Sequence, residues 1–530
     1  MRTKALTITR RALLGATVGA IAGRSRHVGA YSQEQPAGSP IMGGTPTVAM
    51  AAMPFSLDTV QTDQLATWWL ADQLYDTPLR ETPNGGIAAG LARAVRPADD
   101  GLAYTLSLRP GVRFHDSEPL RARDVAATFE RVRDPSTGGI NAWRLEHVVA
   151  VEAPDDETVV LRLARPNVAL PAILTSLALA VLPERTTTAS NPFSAAPPPP
   201  GTGAFAFVAR DAGGEVLLRR NSAYWRSGLP YLDGLRLQFL KEDTARSAAM
   251  VTGTVDLIQP APLLDVPMLA EGTNVSLIGG LSRQVCGLAL NLRQGPLVDI
   301  RLRRLVARAI DREQLVTAAT AGQAVPQATL FPEGHWAHLA VPIAPPDTAG
   351  VLAELAALDF PAGLRLSLIC PDQDPSLANA AVLLQEQLAR AGIAAALELL
   401  EERRIADAVA AGAFDLVIGY RGPWLDPHEL VRPLMTSDGV ANLSGYANPA
   451  IDALIAAAVA TEDLDVRTEY YRAIEELMLI DVPWITLFLP NHYHAVTTRL
   501  ANLLAYPSGS LHGLRRAWML PAAPEDSNPA

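Results

Sequence analysis

The chain has 530 residues, 49% of them hydrophobic and 19% charged, with a formal net charge of −11. That length exceeds one ordinary core and predicts two or three domains, and the apolar content excludes a disordered chain. Six of the basic side chains and no acid fall in residues 1–30, so the remainder stands at −17, which excludes a nucleic-acid-binding footprint.

The first element is an export segment. Thr9-Arg10-Arg11-Ala12-Leu13-Leu14 follows a twin-arginine pattern, with Leu13 in the usual Phe position. Residues 12–23 are weakly apolar and too short to span a bilayer, and Val28-Gly29-Ala30 offers a small-residue cleavage site. This predicts a signal peptide over 1–30 and a mature chain starting near Tyr31, exported to the periplasm as a soluble protein. No cysteine follows the apolar run, so no lipid anchor is expected.

Residues 46–52 read as a first strand, and Phe55-Ser56-Leu57-Asp58 as a corner. Asp63 is placed to cap a helix running through Thr67-Trp68-Trp69-Leu70 to Tyr75, whose adjacent tryptophans suit a cleft wall or a core. Residues 104–109 alternate like a half-buried strand, Pro110-Gly111 is a turn, and 112–114 read as the return strand of a hairpin. Apolar residues at Val125, Ala126, Phe129 and Val132 predict an amphipathic helix over 122–133, stopped by Asp134-Pro135. Residues 149–152 and 158–163 pair around an acidic turn, and 196–200 form a stiff proline linker. Gly201-Thr202-Gly203 leads into a strand rather than opening a helix, so it is no phosphate loop. Strands at 235–239, 364–369 and 414–418, a helix at 380–388 and a return strand at 482–487 complete an α/β pattern.

The stretch GLAYTLSLRPGVRFHDSEPLRARDVAATFERVRD, residues 101–134, carries more than its periodicity. It strongly resembles the signature of solute-binding protein family 5, the peptide- and nickel-type extracytoplasmic receptors of ABC importers. Ser117 departs from that signature where a turn glycine is usual. Further steps match in order: Leu74-Tyr75-Asp76 to Leu79, Gly201-Thr202-Gly203-Ala204-Phe205, Arg220-Asn221 with Tyr224-Trp225, Asn291 to Asp311-Arg312, and Asn442-Leu443-Ser444-Gly445-Tyr446. The resemblance implies a periplasmic binding protein-like α/β fold with three domains, two lobes around a cleft and one inserted domain. Domain I would comprise 45–73, 201–280 and 485–530, the inserted domain II 74–200, and domain III 281–484. It also implies a monomer that hands a peptide or related small organic solute to permease subunits in the inner membrane.

No catalytic constellation is legible: there is no G-x-S-x-G, H-E-x-x-H or Walker sequence, so neither an enzyme nor a cofactor is expected. His335 with His338, and His492 with His494, offer too few ligands for a metal site, and His115 is read as structural. Only Cys286 and Cys370 occur, too few for a disulfide framework, with a single bridge left open. The ligand segment is expected at Gly419-Tyr420-Arg421-Gly422-Pro423-Trp424-Leu425-Asp426-Pro427-His428, beyond a strand end. In peptide-binding relatives an Asp there pairs with the peptide ammonium, and Pro423 takes its place here. Nickel-binding relatives resemble Asp426-Pro427-His428, but no histidine follows between Glu429 and Leu443, which disfavours the metal alternative; a periplasmic hydrolase is the remaining one. The candidate ligand contacts are Tyr420, Arg421, Trp424, Asp426, Trp68 and Trp69, with Arg421 as the cation for an acidic group.

Overall fold

The computed structural model describes residues 39–521 except 55, 188–192, 194–196, 359 and 361–362. The export segment, Phe55 and Ala196 at the head of the proline run therefore lie outside the described residues.

The fold is mixed α/β. One 12-stranded sheet runs in the order Ile393–Leu400, Leu364–Pro371, Leu416–Arg421, Val285–Leu290, Trp484–Thr497, Leu257–Gln259, Thr47–Met50, Gly234–Phe239, Val216–Arg220, Phe205–Arg210. Val275–Leu281 and Ala324–Pro326 add to the long strand Trp484–Thr497. Sequence reading expects a return strand at 482–487 only; a proline such as Pro490 has no N–H to give a sheet ladder. The strand instead runs on for 14 residues. Pro490 falls where the ladder passes from Val285–Leu290, whose last partner is Phe488, to Val275–Leu281, which begins at Asn491. At that switch of partner a missing donor costs little, and one strand ties the two halves of the sheet together.

A second core, formed mostly by residues between Leu79 and Val181 and joined by Val60 and Val459, backs a four-stranded antiparallel sheet, Ala92–Pro97, Ala103–Leu108, Thr158–Leu163 and Val148–Glu152 in spatial order. Helix Ala122–Arg133 lies on it with Val125, Phe129 and Val132 fully buried, as its 3.6-residue spacing requires. The hairpin expected at 104–114 is a correction. Ala103–Leu108 pairs with Ala92–Pro97 and Thr158–Leu163, whereas 112–114 folds back on 118–120, with Phe114 N–H donating to Glu118 O at 2.8 Å. Both edges of the alternating strand were already taken by longer partners. A second correction concerns Asp63: Gln64 occupies the N-cap of helix Leu65–Leu74, and no side chain caps it.

The tight 112–120 loop needs a left-handed residue, and Ser117 supplies it at φ 76°. A side chain in that region costs roughly 1–2 kcal/mol, partly offset in glycine by unfolded-state entropy. Ser117→Gly is therefore expected to raise the unfolding free energy by about 0.5–1 kcal/mol in urea titrations. Unchanged or lower stability would show that the loop carries no strain.

The same loop is stapled to the re-entry at residue 201. His115 N–H donates to Gly201 O at 2.8 Å, Gly201 N–H donates to His115 Nδ1 at 3.2 Å, and His115 Nε2 meets Gly203 O at 3.0 Å. With Nδ1 accepting, Nε2 carries the proton, and burial holds the ring's pKa below its usual value. His115 is thus a neutral structural clasp. A Cβ on Gly201 would lie 1.9 Å from Leu74 O, so the G-x-G step exists for close backbone approach. Cys286 and Cys370 are both free and buried.

Candidate functional site

Helix Leu65–Leu74, the loop at 423–425 and the C-terminal segment come together around a half-open cavity of about 90 Å³, about 720 Å³ when the open space at its mouth is included. Its walls come from helix Leu65–Leu74, the strand Leu79–Glu81, the loops at 175–177 and 423–425, Glu429 and the C-terminal segment 508–512. Trp68, Trp69 and Trp424 form the aromatic walls. Trp68 is fixed by its indole N–H on Thr62 O at 3.1 Å, Trp69 by an edge contact with His492, and Trp424 by edge contacts to Phe331 and His335.

Three of the sequence-predicted residues, Trp68, Trp69 and Trp424, come together here. The other three do not line the cavity. Asp426 is the N-cap of helix Pro427–Met435, accepting from His428 N–H at 2.9 Å and binding the Arg467 guanidinium through both oxygens at 2.9 Å. Asp426-Pro427-His428-Glu429 is a helix start, with proline in the first turn and Glu429 closing a capping box, a signal readable in the sequence. Tyr420 packs against the core of the sheet. Arg421 ends the strand Leu416–Arg421, spends one nitrogen on Tyr420 O, and lies over Trp484 with its Cζ 5.4 Å from the ring centre. Burial lowers its pKa while its Nε finds no partner. The cation at the cavity is Arg80 instead.

Several groups that support the walls escape sequence reasoning because distant segments bring them together. Arg144 donates to Glu429 Oε1 at 3.0 Å while its guanidinium lies 4.6 Å from the Trp143 ring and 5.6 Å from the Trp68 ring. Glu429 Oε2 also accepts from Leu425 N–H and Asp426 N–H, so one carboxylate sets the loop that presents Trp424. Arg283 donates to Leu425 O at 3.1 Å and Gly85 O at 3.0 Å and lies 5.5 Å from Trp424, joining that loop to the hairpin of Arg80. Aromatic faces and fixed cations stabilise this arrangement mutually.

At the floor, Asp72, Ser510 and His512 meet. Ser510 Oγ donates to Asp72 Oδ2 at 2.8 Å and lies 3.0 Å from His512 Nδ1, which also contacts Asp72 Oδ1. A Ser–His–Asp relay needs the hydroxyl and the carboxylate on opposite ring nitrogens. Here both sit on Nδ1, so no proton path leads from the hydroxyl through the ring. Burial and Arg515 hold His512 well below its usual pKa, leaving it neutral. With Nδ1–H on Asp72, its Nε2 is an acceptor.

Among the described residues no group of three or more His, Cys, Asp and Glu side chains converges to hold a metal. His428, in the step that resembles nickel receptors, is buried against Trp143, and its pKa is pushed down to about 3 by burial and by surrounding cations. Among those residues no helix is long and apolar enough to cross a membrane.

The profile of bacterial extracellular solute-binding proteins, family 5 Middle, matches residues 86–442. The glutathione-binding protein GsiB of Salmonella typhi is 25% identical over 428 residues, covering 79% of this chain and 83% of its own length. The fold is similar to that of AgaA from A. tumefaciens R10 in complex with agropinic acid, with a TM-score of 0.81 at 23% identity, covering 91% of this chain and 99% of that one. It is likewise similar to the oligopeptide-binding protein AppA of Bacillus subtilis in complex with a nonapeptide, with a TM-score of 0.82 at 20% identity over 91% and 100% of the chains.

Proposed function

The chain belongs to the bacterial extracellular solute-binding proteins of family 5, and on that premise we propose that it is the periplasmic receptor of an ABC importer, capturing a small organic solute with an acidic group and passing it to the permease. The observation that carries this reading is the cavity itself, walled by Trp68, Trp69 and Trp424 with the Arg80 guanidinium on its rim. Aromatic walls with a few placed polar groups are the usual make-up of a small-molecule site. The reading takes that solute to be a short or modified peptide or a similar small organic acid. Glutathione in the name of GsiB and agropinic acid in the AgaA complex are solutes of that kind. The reading divides the chain into domain I (45–73, 201–280 and 485–530), inserted domain II (74–200) and domain III (281–484), working as a monomer. Export by the twin-arginine route belongs to the same reading and rests on Arg10-Arg11.

Native mass spectrometry of the protein recovered from the periplasm tests it. The expected result is a mature chain beginning near Tyr31 that retains an organic solute with an acidic group. A chain that arrives without solute, and whose melting temperature no small organic acid or short peptide raises, would overturn the receptor reading.

A further inference from the structure

The charged groups of the cavity wall differ in what they lack. Asp72 is met by His512, Ser510 and Arg515, and Glu429 by Arg144 and two backbone amides. Two groups are left incomplete. Arg80 spends its Nε on Ala89 O at 3.2 Å, and its two terminal nitrogens have no hydrogen-bond partner among the described residues. Glu81 accepts from the Ser508 hydroxyl through Oε2, while its buried Oε1 has no donor. As neighbours on one strand they project to opposite sides, yet both reach the cavity.

A carboxylate oxygen held out of water without a donor is costly, and a ligand that donates to Glu81 Oε1 supplies what the empty site lacks, while the half-exposed Arg80 leaves its terminal nitrogens open to an anion. A purely anionic solute would leave Glu81 bare, and a purely cationic one would leave Arg80 bare. We propose, building on the receptor reading above, that the solute is a zwitterion, with its anionic group on Arg80 and a protonated amine on Glu81, and that Ser508 positions Glu81 for it. In this site Glu81 takes the part that Pro423 leaves vacant in the 419–428 loop.

The surroundings of Glu81 support this. It is faced by the Ser508 hydroxyl and Tyr506 from the C-terminal segment, by Arg283 and Glu429 from the opposite lobe, and across the cavity by Asp72 and His512. Burial pushes its pKa up to about 7; the Ser508 bond and Arg283 oppose that, and Glu429 adds to it. Binding an amine lowers the pKa of Glu81, so the solute prefers the ionised form and drives off up to one proton near neutrality. Affinity then falls as pH drops below the free-receptor pKa, by at most tenfold per pH unit, and falls again once pH exceeds the pKa of the solute's own amine, about 8 for a peptide α-amino group. His512, held well below its usual pKa, does not titrate in that window.

Calorimetry decides this with reduced glutathione and the dipeptide Met-Leu as probes, each also in N-acetylated and C-amidated form, on the full mature chain. N-acetylation is expected to weaken binding to the wild type at least tenfold and to Glu81→Gln only slightly. Amidation should do the same for the wild type against Arg80→Gln. Proton release near pH 7, read from buffers of different ionisation enthalpy, should vanish in Glu81→Gln. Insensitivity of the wild type to N-acetylation, or binding that tightens as pH drops below about 7, would overturn the proposal. Should no probe bind, the retained solute decides: one carrying both an amine and an acid supports it, and one lacking an amine overturns it while leaving the receptor reading intact. A chain that binds no probe and retains no solute overturns both.

Discussion

Replacing Arg131 with alanine is expected to lower the unfolding free energy by about 3–5 kcal/mol, the usual cost of stranding one partner of a buried ion pair. Arg131, on helix Ala122–Arg133, binds Asp58 through both terminal nitrogens, NH1 to Oδ1 at 3.0 Å and NH2 to Oδ2 at 2.6 Å. The side chains are 4% and 1% exposed, so water cannot take over from a missing partner. The contact ties the corner after the first strand to helix Ala122–Arg133. Asp58→Ala should cost a similar amount, and the double variant clearly less than the sum, because removing both charges leaves neither unpaired. Chemical denaturation of the four proteins reads this directly. Additive losses would mean that the pair is not coupled and that each residue acts through other contacts.

Arg515→Met is expected to cost stability on the same scale, about 3–5 kcal/mol, and to weaken solute binding as well. Arg515 is 1% exposed and donates to Asp76 Oδ1 at 3.1 Å, to the Tyr224 hydroxyl at 2.9 Å and to Asp72 O at 2.8 Å. Asp76 further accepts from Thr202 and from the Trp225 indole N–H, so one guanidinium anchors helix Leu65–Leu74, the 201–203 re-entry and the C-terminal segment together. Without it Asp72 loses a neighbouring positive charge, and the Ser510–His512 floor of the cavity loses its support. Arg515→Lys should recover only part of the stability, since a single ammonium cannot reach three acceptors in a fork. Melting curves together with calorimetry on glutathione or Met-Leu distinguish Arg131→Ala from Arg515→Met. Arg131→Ala should shift the melt and spare affinity in the folded protein, whereas Arg515→Met should change both. An Arg515→Met protein with unaltered affinity would place the floor outside the site.

What the sequence by itself determined is what short-range physics encodes. The spacing of Val125, Phe129 and Val132 makes a helix with one buried face, and the structure has it over Ala122–Arg133. The alternation at 158–163 makes a strand, and the ordered family steps place the chain in family 5. A capping box at Asp426 and Glu429 is equally legible, but the same residues resemble a binding motif, and the resemblance points to a ligand segment where the structure has a helix start. What only the tertiary structure decided is which charges meet. Arg80 and Glu81 face the cavity while Arg421 turns onto Trp484, and nothing local distinguishes one arginine at a strand end from another. Ser508 meets Glu81 across 427 residues and Arg515 meets Asp76 across 439. Periodicity carries no information at that separation. Long polar side chains find their partners through the course of the backbone, and here one strand, Trp484–Thr497, returns the C-terminal segment to the floor of a cavity begun at Trp68.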